Sequence, residues 1–350
     1  MRKLIYGLTI LALVVSCEKS QNESNLDVVQ EIQVDMNDFT LYAEPDDLAA
    51  KSTNAQDKCH TMKNLAFRLE QNPGLAKKMY DIEYHTRKSI AAKKPTNPGG
   101  GNGGGGNGTP SIYTDRVSIP VVINIIEKSL GQVTDAHIST QINILNEDFQ
   151  NMNINTKDVP TVFGGLVADV DIVFTLASVN RRVSSKSSWG TRDAMKYSKR
   201  GGINATDPAN NLNIWVCEIG GGILGYAQFP GGKAATDGVV IGTDFFGENS
   251  AGGIYGHGRT ATHEVGHWLN LRHIWGDGGC SADDFVSDTP VSDQPNYLCP
   301  DELIHCGTVD MTMNYMDYVQ DDCMYMFTSG QNDRMRTLFG NSGARESFVQ

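Results

Sequence analysis

The spacing of apolar residues changes along the chain from a helical period to a strand period. Between Thr61 and His85 apolar residues recur three or four positions apart, with a break at Asn72-Pro73-Gly74, which predicts two short helices. Later runs rich in β-branched residues predict strands, and Pro120 in the first of them indicates an edge or early position. The predicted strands are 117–126, 171–179 and 212–219, and the predicted later helices are 134–149 and 329–338. This mixture predicts an α/β (α+β) domain preceded by a small helical segment.

The first 16 residues have the pattern of an export signal. Arg2-Lys3 precedes an apolar run, 4–15, that is too short to remain as a membrane span. Ser16-Cys17 after this run resembles a bacterial lipobox, so Cys17 is the predicted lipid-bearing first residue of the mature chain. The glutamate that follows favours the outer membrane or cell surface as the destination. Ordinary secretory cleavage with a free Cys17 is the alternative.

Composition divides the rest of the chain into four parts. Residues 17–45 are polar and acidic without a sustained period, which predicts a tether. Residues 46–94 contain the two short helices, and residues 95–110 are rich in glycine, which predicts a flexible linker. Residues 111–350 form the predicted main domain. Basic residues at the linker entrance indicate a cleavage between residues 87 and 111, which would release the main domain from its lipid.

The main domain contains a pattern of zinc ligands. His263 and His267 are four residues apart, so on a helix they face one ion, and Glu264 lies beside that ion as a candidate general base. In a continuous helix His273 would lie about 9 Å further along the axis, away from the metal. Asn270 is a plausible helix end, because asparagine adopts the left-handed conformation more readily than most residues. The pattern therefore predicts three histidine ligands and an open fourth position, as in catalytic zinc sites.

These residues resemble the HExxHxxxxxH signature of the metzincin metallopeptidases, with Asn270 where most of them have glycine. Residues 313–318 resemble the turn beneath the metal in the pappalysin, or M43, family. The resemblance implies that Met316 is the turn methionine and that Tyr318 steadies the substrate carbonyl in the transition state; a buried structural tyrosine is the alternative. It also implies a metzincin-like catalytic domain, with a mixed twisted sheet and helices in an upper subdomain and an irregular, disulfide-linked lower subdomain.

The same resemblance gives the helical segment before the linker a role. Cys59 resembles the prosegment cysteine of pappalysin-like zymogens, whose thiolate fills the open zinc position and excludes water. A buried thiol and a disulfide with Cys217 are the alternatives. Residues 220–230 are implied to form the bulged loop and edge strand at the upper rim of the cleft, where a peptide substrate would pair.

Four cysteines follow the zinc stretch and allow three pairings. The resemblance favours Cys280 with Cys306 and Cys299 with Cys323, and a second zinc site is the alternative.

Acidic loops between these cysteines suggest a second metal. Pappalysin-like enzymes bind calcium in this region, and the resemblance implies a calcium site here, for which Asp284, Asp288 and Thr289 are the predicted ligands.

The predicted function is that of a zinc-dependent endopeptidase made as a lipid-anchored zymogen, in which a zinc-bound water attacks the peptide bond with Glu264 as general base. A net charge of −12 and the absence of a basic run in the main domain argue against nucleic acid, so the expected partner is a peptide or protein substrate. The only expected membrane link is the lipid on Cys17. The alternatives are an inert surface lipoprotein that binds a glycan or protein and a hydrolase of some non-peptide bond.

Overall fold

A five-stranded mixed sheet is the framework of the computed structural model, which describes residues 32–41, 58–93 and 110–350. The strands are β1 (Val117–Glu127), β2 (Ile172–Val183), β3 (Leu212–Cys217), β4 (Gly225–Ala227) and β5 (Val239–Gly242), in the order β2-β1-β3-β5-β4. Neighbouring strands are parallel except β4, which runs antiparallel to β5 and forms one edge of the sheet. A short hairpin of β6 (Ile304–His305) and β7 (Thr308–Val309) lies in the loop-rich C-terminal part.

Five α-helices accompany the strands in the described residues. They are α1 (Thr61–Gln71), α2 (Leu75–Lys93), α3 (Asp135–Phe149), α4 (Arg259–Trp268) and α5 (Ser329–Arg336). The Thr134 and Thr328 side chains cap α3 and α5, each in a reciprocal capping box that satisfies backbone donors of the first turn. Helix α2 extends beyond the predicted His85, because Thr86 and Ser89 are buried and Thr86 bonds to Thr337 of the C-terminal part.

The centre of the sheet is apolar on both faces. Strands β1 and β3 are buried almost throughout, as expected for strands that are covered on both sides by other elements. Pro120 is tolerated in the internal strand β1 because pairing with β3 starts only at Val121, so the missing N–H is not needed on that side. The position of Pro120 early in β1 therefore explains why proline is accepted there, and the alternative that β1 is an edge strand is wrong. Strand β5 was missed, since its four residues are too few to establish a period.

The two N-terminal helices pack onto the main domain. Met62, Leu65, Leu75 and Met79 form an apolar cluster with Phe229, which follows the edge strand β4. Gln33 to Gln350 accordingly form one compact unit. The prediction of a small helical segment before an α/β domain is confirmed.

Part of the predicted polar tether is also packed. The Phe39 ring contacts the rings of Tyr80 and Phe285, with centroids 5.8 and 5.7 Å apart, and Asp38 pairs with Arg87 at 2.5 Å. The composition of residues 17–45 is polar on average, but one aromatic anchor is enough to fix these few residues.

Several predictions lie wholly or mainly outside the described residues and stay predictions: the signal peptide 1–16, the lipidated Cys17, and the linker 95–110. The boundaries of the prosegment (46–94) and the catalytic domain (111–350) likewise stay predictions. No helix in the described ranges has the length and apolarity that a membrane span requires.

Asp148 joins three elements of the domain. From α3 its buried carboxylate accepts hydrogen bonds from the Tyr315 and Thr262 hydroxyls, at 2.6 and 2.7 Å, and lies 3.5 Å from the Arg259 guanidinium. Thr262 and Arg259 belong to α4, so this carboxylate fixes that helix relative to α3 and to the loop that carries Tyr315.

We expect Asp148→Asn to lower the free energy of unfolding by about 1–3 kcal/mol, because the amide nitrogen would face a hydroxyl donor and leave a buried group unsatisfied. Urea unfolding with the same saturating zinc concentration measures this. Asp115→Asn, at an exposed position, is the matched control and should change the value by less than about 0.5 kcal/mol. Equal stabilities of the two variants would contradict the role given to Asp148.

Candidate metal centre

The chain reverses direction directly after α4. Asn270 has φ of 72°, the left-handed conformation predicted for it, and the Leu271 N–H donates to the Gly266 carbonyl at 2.9 Å. This turn ends the helix and returns His273 to the face that carries His263 and His267.

The three imidazoles are fixed through their Nδ1 atoms. Nδ1 of His263 lies 2.7 Å from the Tyr315 carbonyl and Nδ1 of His267 lies 2.8 Å from the Leu271 carbonyl. Nδ1 of His273 lies 2.5 Å from Oδ1 of Asp277. Each Nδ1 can therefore carry the proton, which leaves the Nε2 lone pair for a metal. The Nε2 atoms converge accordingly, with that of His267 3.1 Å from those of both His263 and His273.

Cys59 completes this group from the prosegment side. Its Sγ lies 3.5 Å from Nε2 of His267, and the four ligand atoms lie within 4.8 Å of one another. Tetrahedral zinc bonds of about 2.0–2.1 Å to nitrogen and 2.3 Å to sulfur imply separations of about 3.3 Å between nitrogens and about 3.6 Å between nitrogen and sulfur. The donor set and its spacing fit one such ion. In the described part of the chain no other group of three or more His, Cys, Asp or Glu side chains converges in this way.

The electrostatics of the four side chains also favour a cation. Burial and the neighbouring His273 lower the pKa of His263 to about 3, so this imidazole is neutral and free to ligate at ordinary pH. Burial and the neighbouring Glu264 raise the pKa of the Cys59 thiol well above its usual range. A thiolate at this position therefore requires a positive charge between it and the histidines, as a metal ion supplies.

Glu264 and Tyr318 lie on either side of the Cys59 segment. Oε2 of Glu264 accepts a hydrogen bond from the Thr61 hydroxyl at 2.8 Å, and burial raises the pKa of Glu264 to about 7. The Tyr318 hydroxyl donates to the main-chain carbonyl of Cys59 at 3.3 Å. A peptide carbonyl beside the histidines is thus already within reach of Tyr318.

The methionine turn packs directly under the helix. Met316 is fully buried, and a Cβ on Gly266 would lie 2.5 Å from its Sδ, so glycine lets the methionine side chain pack directly against the helix. The turn itself is closed by Oδ1 of Asn314, which accepts from the Met316 N–H at 2.9 Å.

The prosegment enters the cleft as an extended strand along β4. Cys59 pairs with Gly225 in a parallel bridge, the His60 N–H donates to the Gly225 carbonyl at 3.0 Å, and the Ala227 N–H donates to the Thr61 hydroxyl at 2.8 Å. The edge strand predicted within residues 220–230 is present, and its backbone groups bind a segment of the chain itself; pairing of a substrate here stays a prediction.

The side chain of Lys58 occupies a pocket at the N-terminal end of α4. Its Nζ lies 3.5 Å from the centroid of the Tyr255 ring and hydrogen-bonds to the Tyr255 hydroxyl. Burial lowers the pKa of Lys58 to about 8, while the nearby carboxyl of Asp321 acts in the opposite direction. Other pocket walls come from Thr260, Tyr318, Val319 and Met324.

Besides Cys59, the cysteines in the described residues form two disulfides and leave one buried free thiol. Cys280 is bonded to Cys306 and Cys299 to Cys323, the pairing that the resemblance favoured. Cys217 is a free thiol within β3, so neither the Cys59–Cys217 disulfide nor the second zinc site is formed.

The predicted calcium ligands do not share one site in this structure. The Asp284 carboxylate accepts from the Thr289 hydroxyl at 2.9 Å, whereas the Asp288 carboxylate caps the start of α5 through Thr328 and Gly330. The calcium site stays a prediction.

Sequence reasoning missed three residues that the site uses. Asp277, for which no role was predicted, orients His273 from four positions along the chain. Thr61 and Lys58 act only because the prosegment lies in the cleft, although their positions on either side of Cys59 were a usable signal.

This fold and this site, with three histidines after a left-handed turn, a glutamate beside them and a buried methionine beneath, define a metzincin-type metallopeptidase. The model of the M43 peptidase family, described as pregnancy-associated plasma protein-A, matches residues 207–340. Extracellular metalloprotease 1 of Coccidioides posadasii is 37% identical over 218 residues, which are 60% of this chain and 70% of that protein. The chain belongs to the M43 family of metallopeptidases.

Two solved structures of mirolysin from Tannerella forsythia have the same fold. Mature mirolysin in complex with a cleaved peptide is 42% identical, with a TM-score of 0.65, and the match covers 67% of this chain and 96% of that one. A point mutant of promirolysin is 36% identical, with a TM-score of 0.70, and the match covers 83% of this chain and 96% of that one. The larger coverage of the promirolysin match fits the presence of a prosegment in this chain.

Proposed function

We propose that this protein is a zinc-dependent endopeptidase made as a latent precursor. The observation that carries the proposal is the convergence of three buried imidazoles and one thiol on a space that suits a single zinc ion, with a peptide carbonyl held beside it. His263, His267 and His273 would hold the metal in both forms of the enzyme, and Cys59 only in the latent one.

In the mechanism we propose, the protein's own groups handle the proton and the carbonyl oxygen. Zinc bound here would polarise the scissile carbonyl and lower the pKa of a water molecule. Glu264 accepts the proton of the attacking water and returns it to the leaving nitrogen, a role that suits a carboxyl whose pKa burial has raised to about 7. Tyr318 donates a hydrogen bond to the carbonyl oxygen as charge develops on it, just as it donates to the Cys59 carbonyl here.

Latency follows from the same contacts. Cys59 takes the position that the attacking water needs, and the Thr61 hydroxyl donates a hydrogen bond to the carboxylate of Glu264. The prosegment therefore blocks the metal and the base together, and removal of one residue would not restore the full catalytic geometry.

The pocket that holds Lys58 supports a preference for basic side chains. A long cationic side chain fits between Tyr255 and Asp321, and it enters directly beside the residue that occupies the metal site. We propose that a substrate Lys or Arg next to the scissile bond takes this place.

Relatives such as the one from Coccidioides posadasii are named extracellular metalloproteases, which supports export of this protein as well. We propose lipid attachment at Cys17 as the means of retention.

Peptide-library cleavage by the processed enzyme tests the activity and its specificity. We expect cuts that a zinc chelator abolishes, and a preference of at least about tenfold for Lys over norleucine, which has the same length without the charge, because a partly buried charged contact is worth about 1.5–3 kcal/mol. Equal cleavage of the two peptides would contradict the pocket assignment, and absence of any cut would contradict the peptidase proposal.

Glu264→Gln should reduce kcat by about 100- to 10,000-fold, the usual contribution of a general base, while one zinc ion remains bound. Metal content by mass spectrometry and turnover of a Lys-containing peptide measure the two effects. Glu218→Gln, at an exposed position beyond β3, is the matched control and should retain activity. Near wild-type turnover by Glu264→Gln would exclude this residue as the base.

Cys59→Ala should raise the peptidase activity of the uncut chain, because it weakens binding of the Cys59 segment in the cleft. Each 1.4 kcal/mol or so of binding free energy that is lost increases the fraction of molecules with an open cleft about tenfold. A second readout does not depend on activity: in the cobalt-substituted full-length chain, thiolate ligation gives a near-ultraviolet charge-transfer band that Cys59→Ala should remove. Cys217→Ala is the control, because it also deletes a buried free thiol. A band that persists in Cys59→Ala would show that this thiol is not a ligand.

A further inference from the structure

A second contact joins the prosegment to the main domain away from the metal. The Glu83 carboxylate of α2 is held in bidentate fashion by the Arg334 guanidinium of α5, through Nη1 at 3.1 Å and through Nη2. Both side chains are only 2% exposed. Burial alone would raise the pKa of Glu83, but the charge and hydrogen bonds of Arg334, together with those of Arg87 one turn further along α2, lower it to about 2. This carboxylate is therefore ionised and bound by a preorganised cationic group.

The main-domain side of this contact consists of hydrogen-bond donors. Nε of Arg334 donates to the Asn270 carbonyl at 2.8 Å. This bond orients the guanidinium so that its two terminal nitrogens point at Glu83. Arg272 stacks on the Phe285 ring, 4.4 Å from its centroid, and donates to the Thr40 carbonyl of the N-terminal segment. Nδ2 of Asn270 is buried without a hydrogen-bond partner in the described structure, and Asn270 is 8% exposed.

Acidic neighbours on the main-domain side do not neutralise these donors directly. Asp277 is used by His273, and Asp284 is used by Thr289 and the Val286 N–H. A guanidinium group keeps its positive charge in proteins at physiological pH, so these donors are cationic. Departure of the prosegment removes the Glu83 carboxylate and the Thr40 carbonyl and leaves two arginines and one amide facing the vacated space.

This space borders the metal site through Phe229. Its floor consists of Phe229, Asn270, Arg272 and Arg334. The centroids of the Phe229 and His267 rings are 5.4 Å apart. Along the chain, Phe229 lies two residues after Ala227, the last residue of the edge strand. A peptide extended along β4 beyond Ala227 therefore reaches Phe229 and then the arginines. The Lys58 pocket lies at the opposite end of α4, where the helix starts.

We propose that Arg334, Arg272 and Asn270 form a subsite of the processed enzyme that binds an acidic side chain of the substrate, on the side of the scissile bond opposite to the basic residue. Glu83 occupies this subsite in the latent form. The inference rests on the proposed peptidase function and adds a second specificity element to it. A glutamate fits better than an aspartate, because its carboxylate can repeat the bidentate contact of Glu83.

The test uses the full chain cleaved between residues 93 and 110 and a series of peptides with one fixed lysine at the preferred position. Glutamate or glutamine is placed at each position on the other side of the scissile bond in turn. We expect kcat/KM to be at least about tenfold higher for glutamate than for glutamine at one position, as for a charge-assisted contact with a buried group, and nearly equal elsewhere. Residual prosegment competes equally with both members of a pair, so the ratio is unaffected by it.

Arg334→Lys keeps the positive charge but not the planar fork, and we expect it to lower the glutamate-to-glutamine ratio to about 3 or less. Arg116→Lys, at an exposed arginine, is the matched control and should keep the wild-type ratio. If Arg334→Lys does not fold, because Arg334 also holds the Asn270 carbonyl, the wild-type peptide series decides alone.

Cleavage of both peptides of every pair at equal rates would overturn the subsite and leave the peptidase proposal standing. A full ratio retained by Arg334→Lys would overturn the assignment of Arg334. Failure of the wild-type enzyme to cut any lysine-containing peptide would overturn the peptidase proposal, and this inference with it.

Discussion

The arrangement depends on the convergence of three buried imidazoles on one point. Burial alone would not orient them, because each ring could rotate or take the other tautomer. The orientation comes from a separate acceptor at each Nδ1: two main-chain carbonyls and the Asp277 carboxylate. These acceptors lie in the methionine turn, in the loop after the left-handed Asn270 and four residues beyond the third histidine. The packing of Met316 against Gly266 and the Asp148 network keep these parts at fixed distances from α4.

Much of this could be predicted from the sequence, because local chemistry determines it. The spacing of His263 and His267 requires one helical face, and the position of His273 requires a chain reversal that Asn270 can make. The capped helix after Thr134 and the apolar runs of β1 and β3 are also local features, and the structure has them where they were expected. The fold class, the methionine turn and the disulfide pairing came from resemblance to a family, since no spacing rule selects one pairing of four cysteines.

The rest depends on contacts between residues far apart in sequence. Nothing near Glu83 indicates that its carboxylate meets Arg334, 251 positions away, and nothing near Lys58 indicates Tyr255. Phe39 lies in a segment whose average polarity predicted a tether, yet its ring fits against Phe285. No role was predicted for Asp277, and only the folded position of His273 assigns it one. Composition and period describe a segment by its average, whereas these contacts depend on single side chains.

The described prosegment contacts also constrain how latency ends. They all involve residues 33–41 and 58–93, so cutting the chain between residues 93 and 110 breaks none of them directly. Such a cut changes only the effective concentration of the N-terminal fragment at the cleft. While the fragment is linked, this concentration is about millimolar; after the cut it falls to the actual concentration of the free fragment. Dissociation then requires the loss of three separate contacts, at the metal ligands, in the Lys58 pocket and at Arg334. Because the first and third of these contacts are buried and the Lys58 contact is half-buried, water must enter all three places before the fragment leaves. If the two proposed subsites are correct, a peptide that carries a basic and an acidic side chain at the matching positions would replace two of these contacts, so substrate itself would favour release of the cut segment.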